Sequence, residues 1–132
     1  MVSAMIYKNK YGNAKTRALD GTVFDSRKEA RRHNELLLLQ RAGKITDLQR
    51  QVKYELIPAQ YETYERYGKN GQRLKDGVRL LERKVEYVAD FVYTIADTGE
   101  NVVEDTKGVK TKDYIIKRKL MLAVHGIRIK EV

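Results

Sequence analysis

The chain has 132 residues, 42% of them apolar, which is enough for one modest core. It contains no cysteine, so disulfides, thiolate metal sites and cysteine nucleophiles are excluded, and no apolar run approaches the roughly 18–20 residues of a membrane span. A net charge of +9 and a pI near 9.7 favour polyanionic partners. The start, Met1-Val2-Ser3-Ala4-Met5-Ile6, lacks the basic region and long apolar stretch of a signal peptide, so the expected compartment is the cytoplasm, with no membrane partner.

Residues 1–15 are polar and mixed and read as a flexible basic arm. A short strand pair is expected over 17–24, around the turn dipeptide Asp20-Gly21. Ser26 then offers an N-cap, with Glu29 three residues on, and Gly43 offers a stop. A helix is therefore expected over 27–42. Its apolar surface comes from Ala30, Leu36, Leu37, Leu38 and Leu39, so its second half reads as wide and deeply buried. Its first half, with Arg27, Lys28, Arg31 and Arg32, reads as exposed. Residues 44–50 read as a turn, and 52–61 as a strand with Pro58 at an edge or bulge. Residues 61–68 fit either a strand end or a short helix. The turn signals Gly68-Lys69-Asn70-Gly71 and Asp76-Gly77 make 68–77 an exposed basic loop in a long hairpin. A long strand follows over 78–95, interrupted near Glu82, then a strand over 101–107. A second helix is expected over 111–124, ended by Gly126, and a last short strand at Ile127-Arg128-Ile129. The order of elements predicts a mixed α/β (α+β) fold in which both helices flank the sheet.

The chemistry concentrates in two segments. Asp90 sits in the alternating run Tyr87-Val88-Ala89-Asp90-Phe91-Val92-Tyr93, and after the turn at Asp97-Thr98-Gly99-Glu100 comes Val103-Glu104-Asp105-Thr106-Lys107-Gly108. Strands joined by a short turn lie side by side, so Asp90 is expected near Asp105. Residues two apart on a strand share a face, so Asp105 and Lys107 point one way and Glu104 the other. Two carboxylates and one ammonium converging on one point suit phosphodiester hydrolysis, the acids holding Mg²⁺ and the lysine serving a water or the developing charge. Beyond the site, Lys107, Lys110, Lys112, Lys117, Arg118 and Lys119 crowd a short window against the single acid Asp113. Glu29 has two competing roles, because Ser26-x-x-Glu29 is also a capping box. His33 and His125 read as structural or exposed. Tyr54, Tyr61, Tyr64 and Tyr67 read as strand packing before base stacking. Tyr114 and Lys117, one turn apart, either touch a sugar-phosphate chain or belong to an amphipathic helix with a solvated basic side.

The segments Phe24-Asp-Ser-Arg-Lys-Glu29, Tyr87-Val-Ala-Asp90-Phe and Val103-Glu-Asp105-Thr-Lys107-Gly108, in that order, resemble the PD-(D/E)xK nuclease superfamily. More closely, they resemble small phage-encoded Holliday-junction resolvases. The resemblance runs from about Tyr11 to the end, with Ala89 standing where the motif has its proline. It implies a restriction-endonuclease-like mixed central β-sheet flanked by helices, forming one nuclease domain over 1–132. It also implies a metal site made of Asp90, Asp105 and the helix-borne Glu29, with the Thr106 carbonyl facing the ion and Lys107 as the motif lysine. The cofactor would be Mg²⁺, with Mn²⁺ able to substitute, and cleavage would leave a 5′-phosphate. Arg31, Arg32, Lys110, Lys112 and Lys117 are expected to grip the DNA backbone. Resolving a junction takes two symmetric nicks, so a homodimer on branched DNA is expected, with the 52–95 hairpin or the N-terminal arm as a candidate for exchange. The alternatives are a general nicking or repair nuclease of the same fold and a non-catalytic basic nucleic-acid-binding module.

Overall fold

The computed structural model describes residues 6–8 and 14–132, with side chains from Lys15 onward. Strands β1 (Ile6–Lys8), β2 (Ala14–Arg17) and β3 (Val23–Phe24) form a small antiparallel sheet. The expected flexible arm is thus corrected at Ile6–Lys8 and at residues 14 and 15, which are strand; the remainder of 1–15 lies outside the described residues. The turn at Asp20-Gly21 joins β2 to β3 as expected, with the Asp20 carboxylate accepting from the Thr22 amide at 3.0 Å.

Helix α1 (Arg27–Arg41) has both of its sequence signals in place. The Ser26 hydroxyl accepts from the Glu29 amide at 3.3 Å, and Gly43 takes the left-handed φ of 77° that favours glycine. Its buried stripe is Ala30, His33 and Leu36, spaced by three. The four-leucine block behaves differently from expectation. Leu36 is fully buried, whereas Leu38 is 54% and Leu39 37% exposed. At about 100° per residue, four successive side chains sweep most of the helix circumference, and one face alone meets the core.

The main sheet is β4 (Ile45–Ile57), β7 (Val85–Ile95), β8 (Asn101–Asp105) and β9 (Lys130–Glu131), in the order β4-β7-β8-β9. The first two pairings are antiparallel and the last is parallel. β4 starts where a turn was expected, because Ile45 is buried and left-handed residues at Asp47 and Gln51 (φ 54° each) bend the strand without ending it. Pro58, which has no amide proton to give a ladder, separates β4 from β5 (Gln60–Tyr67). Among the described residues β5 pairs only with β6 (Arg73–Glu82), in a two-stranded sheet. The expected loop over 68–77 therefore shrinks to residues 68–72, and 61–67 resolves as strand. The interruption expected near Glu82 falls at Arg83 and Lys84.

Helix α2 (Lys112–His125) is capped by the Thr111 hydroxyl at 3.1 Å from the Tyr114 amide, and ends at Gly126 with φ 67°. The last strand is displaced from expectation. Ile127 and Ile129 are side-chain packing, while the ladder falls on Lys130 and Glu131 beside Glu104 and Asp105. Apolar alternation reports burial, and the partner strand decides where pairing occurs. Two apolar clusters fill the interior. Ala18, Phe24, Ala30, Leu36, Ile45, Phe91 and Tyr93 gather beneath α1, and Leu56, Tyr87, Ala89, Val103, Tyr114, Met121 and Ile129 gather beneath α2. The fold is α+β, a mixed four-stranded sheet with two helices. No helix among the described residues is long and apolar enough to cross a membrane.

Candidate active site

The β7–β8 hairpin sets the geometry. Its register pairs Phe91 with Glu104, so the next step along both strands sets Asp90 beside Asp105. β8 ends at Asp105 because the next amide, that of Thr106, donates to the Asp90 carboxylate at 2.7 Å instead of continuing a ladder. Across β7, Gln51 stands opposite Asp90, between the paired positions Arg50–Phe91 and Val52–Ala89. Its left-handed backbone, worth on the order of 1–2 kcal/mol of strain, interrupts the ladder at Asp90.

Asp105 is 1% exposed. The Tyr87 hydroxyl donates to its Oδ2 at 2.5 Å, while Oδ1 accepts no hydrogen bond from the described residues and lies 3.4 Å from Lys107 Nζ. Lys107 also sits 5.0 Å over the Tyr114 ring. Helix α1 reaches the same place through its first turn, where Lys28 Nζ donates to the Lys107 carbonyl at 3.0 Å. One residue on, the Glu29 carboxylate is half-buried. The Ser26 hydroxyl caps the Glu29 amide, but the reciprocal bond from Ser26 to the Glu29 carboxylate is absent among the described residues, so half of the capping box forms and the acid is left for the site.

Titration behaviour expresses this crowding. Burial raises Asp90 to about 7, and the charges of Glu29 and Asp105 push the same way against the Thr106 amide and Lys107. Burial also raises Glu29, with Arg50 and Lys107 opposing it and Asp105 adding to it. Burial and the Asp105 carboxylate raise Tyr87, which keeps its hydroxyl a donor. Among the described residues no group of three or more His, Cys, Asp or Glu side chains is placed to hold a metal ion. The donor chemistry nonetheless suits a hard cation: oxygen ligands only, mutual repulsion, and one buried carboxylate oxygen with no hydrogen bond. Beside this point Tyr87, Val88, Lys107, Thr111, Asp113, Tyr114 and Lys117 line a cleft of about 240 Å³. A roomier cavity of about 620 Å³, lined by β4, β7, β8 and the end of α2, holds none of the four site residues.

Glu104 takes the opposite role from its neighbour. It is wholly buried, and Arg32 grips it twice, Nε to Oε1 at 2.8 Å and a terminal nitrogen to Oε2 at 2.7 Å, with the Tyr93 hydroxyl as a third donor. Burial would raise Glu104, but the guanidinium and the phenol outweigh it and hold the carboxyl below the usual range. Arg32, expected on the DNA surface, is therefore part-buried with its guanidinium turned inward to Glu104, its remaining terminal nitrogen bound to the exposed Glu35 at 2.9 Å. The other expected DNA contacts divide. Arg31 and Lys112 are exposed, Lys117 borders the cleft, and Lys110 is bound to Glu131 at 3.0 Å. Thr106 meets Asp90 through its amide. Tyr114 is buried under Lys107, which overturns the reading that it touches a sugar-phosphate chain. His33 is buried, 2.8 Å from Asp20 and stacked on Phe91, and His125 bonds the Glu55 carbonyl at 2.7 Å, so both are structural. Sequence reasoning missed Tyr87, Tyr114 and Arg50 as neighbours of the acids, since nothing in their spacing ties them to Asp105 or Glu29.

Searches of curated proteins and of solved structures return no match. Residues 8–130 match the family described as protein of unknown function (DUF1064), and with nearly its whole length covered the chain belongs to that family.

Proposed function

We propose that the protein is a Mg²⁺-dependent, structure-selective DNA endonuclease of the PD-(D/E)xK type that resolves four-way junctions by paired nicking. The observation that carries this reading is the side-by-side pair Asp90 and Asp105, with Glu29 and Lys107 in electrostatic reach and a buried Asp105 oxygen free of any hydrogen bond. Crowded carboxylates destabilise one another, and a divalent cation relieves them. Asp90, Asp105 and Glu29 would hold the ion, joined by the Thr106 carbonyl, and Mn²⁺ would substitute for Mg²⁺ at such an oxygen site. Bound there, the ion lowers the pKa of a water and neutralises phosphate charge. The chain's own groups do the rest. Tyr87 fixes one Asp105 oxygen so that the other is presented in a single orientation. Lys107, steadied by Asp105 and the Tyr114 ring, orients the attacking water or offsets charge on the phosphorus-bound oxygens. Arg31, Lys112 and Lys117 contact the backbone, which positions DNA without reading its sequence. Two symmetric nicks call for a twofold homodimer on branched DNA.

The test compares Mg²⁺-dependent cleavage of a four-way junction, a flap, single strands and a linear duplex by the wild type and by Asp105→Asn. The variant should lose cleavage by orders of magnitude and keep junction binding. Equal cutting of junction and linear duplex would make the protein a general nicking enzyme. No cleavage of any DNA by the wild type would overturn the hydrolytic reading and leave a basic nucleic-acid-binding protein.

A further inference from the structure

The β5–β6 hairpin is the part of the fold that the candidate site does not use. Every residue of β5 is exposed, and the two strands form a sheet of their own with no extensive contact to any other described element. Two-stranded ribbons are marginal in water, so one that projects this way needs a reason. β5 alone extends about 26 Å, eight residues at roughly 3.3 Å each. Of the four tyrosines expected to pack, Tyr54 does so against Tyr87, but on the hairpin Tyr61 is 62% and Tyr67 58% exposed.

The hairpin is nevertheless built to hold its shape. Glu62 pairs with Arg79 at 2.6 Å, and the Arg79 guanidinium lies 4.6 Å over the Tyr64 ring. Tyr64 covers Gly77 so closely that a Cβ there would meet its ring at 2.3 Å. Arg73 is tied to Asp76 along β6. The turn end of the ribbon is locally basic, with Glu65 and Asp76 at its borders. Between residues 66 and 75 stand Arg66, Lys69, Arg73 and Lys75 with no acid among them. Arg66, Lys69 and Lys75 have no acidic partner among the described residues. A stiff ribbon ending in unpaired cations beside an exposed Tyr67 matches a polyanion that carries planar bases.

We propose that the β5–β6 hairpin is a DNA-binding arm, its tip cations Arg66, Lys69 and Lys75 gripping phosphates of a duplex arm away from the cleavage point. The choice of DNA rests on the nuclease reading; the arm itself is argued from the hairpin alone. Arg83 and Lys84 join β6 to β7, the strand that carries Asp90, so the arm lies a short link from the site and sets which branch geometries reach the acids. The competing occupant is a second copy of this chain on the apolar cross-strand pairs Tyr61–Leu80 and Thr63–Val78.

The experiment uses the full chain in EDTA, where no cutting occurs, and measures four-way-junction binding by fluorescence anisotropy across a salt series. The triple variant Arg66→Gln/Lys69→Gln/Lys75→Gln should bind at least about ten-fold more weakly, and its log K against log salt slope should be shallower by about 3, close to one unit per lost phosphate contact. Lys69→Glu alone serves as a second variant, expected to weaken binding, and circular dichroism checks that both fold. Unchanged affinity and slope would overturn the proposal. So would a wild-type slope accompanied by a lower oligomeric state in light scattering, which would make the hairpin a subunit contact. Failure of the two readings is separable. Arm-dependent binding by a protein that cuts nothing sinks only the nuclease reading, and cutting that ignores the arm sinks only this one.

Discussion

Arg32 divides the interior from the proposed DNA-binding surface, and removing it has a calculable consequence. Glu104 is fully buried and takes three hydrogen bonds, two of them from Arg32. Arg32→Met keeps much of the side-chain bulk but leaves the carboxylate with the Tyr93 hydroxyl alone. Stripping one partner from a buried ion pair costs about 3–5 kcal/mol. For 132 residues at ~0.05–0.15 kcal/mol each, total stability is about 7–20 kcal/mol, so this loss is a large fraction of it. With a urea m-value of ~2 kcal/mol/M, the midpoint should fall by about 2 M. The pH dependence should also change sign. In the wild type the Glu104 carboxyl is held below its ordinary range, so its stabilisation is present above the unfolded carboxylate pKa and is lost as pH falls through the folded value. In Arg32→Met, burial without the guanidinium raises the carboxyl, so the deficit is smallest in acid and grows as pH rises through the raised value. Urea unfolding followed by circular dichroism at pH 5 and pH 8 reads both effects, and Arg32→Met/Glu104→Leu should recover most of the loss. A single variant as stable as wild type but weakened in junction binding would refute the interior assignment and return Arg32 to the DNA surface.

Asp90→Asn should stabilise the metal-free protein at pH 8. The carboxyl is raised from 3.8 to about 7, so its contribution to folding is fully present below the unfolded value and lost as pH rises through the folded one. A shift of about 3 units is nominally ~4 kcal/mol, which partial solvent screening reduces to about 1–2 kcal/mol, and the gain should shrink towards pH 5. Calorimetry in EDTA checks this, and a variant less stable than wild type at pH 8 contradicts the crowding argument; Mg²⁺ should then stabilise the wild type in preference to the variant. Within the leucine block, Leu36→Ala should cost about 2–5 kcal/mol and Leu38→Ala under about 1 kcal/mol in the same denaturation assay, because one fills the core and the other is half in water. Equal losses would mean that α1 is rotated from the position described.

Local signals sufficed for local outcomes. The cap at Ser26 and the stops at Gly43 and Gly126 are chemistry within a few residues, and both helices end where those glycines stand, while Thr111, expected as the first helical residue, serves as the second helix's cap. Strand alternation was enough to set Asp105 to one side of β8 and Glu104 to the other, since side-chain direction along a strand has a period of two; the strand expected over 101–107 stops at Asp105, and Lys107 reaches that residue from beyond it. The turn at Gly99 was enough to bring Asp90 to Asp105.

The remainder depended on partners distant in the chain. No pattern within 27–42 says that Arg32 meets Glu104 while Arg31 faces water, because both are arginines on one helix and only the docking of α1 on the sheet separates them. The same holds for Tyr87 under Asp105, Tyr114 under Lys107, and the late start of β9. The sequence by itself determined which residue types carry the chemistry and on which elements they ride. Tertiary structure alone decided which charges are buried together, because desolvation and ion pairing are properties of the assembled interior and have no expression in an unfolded chain.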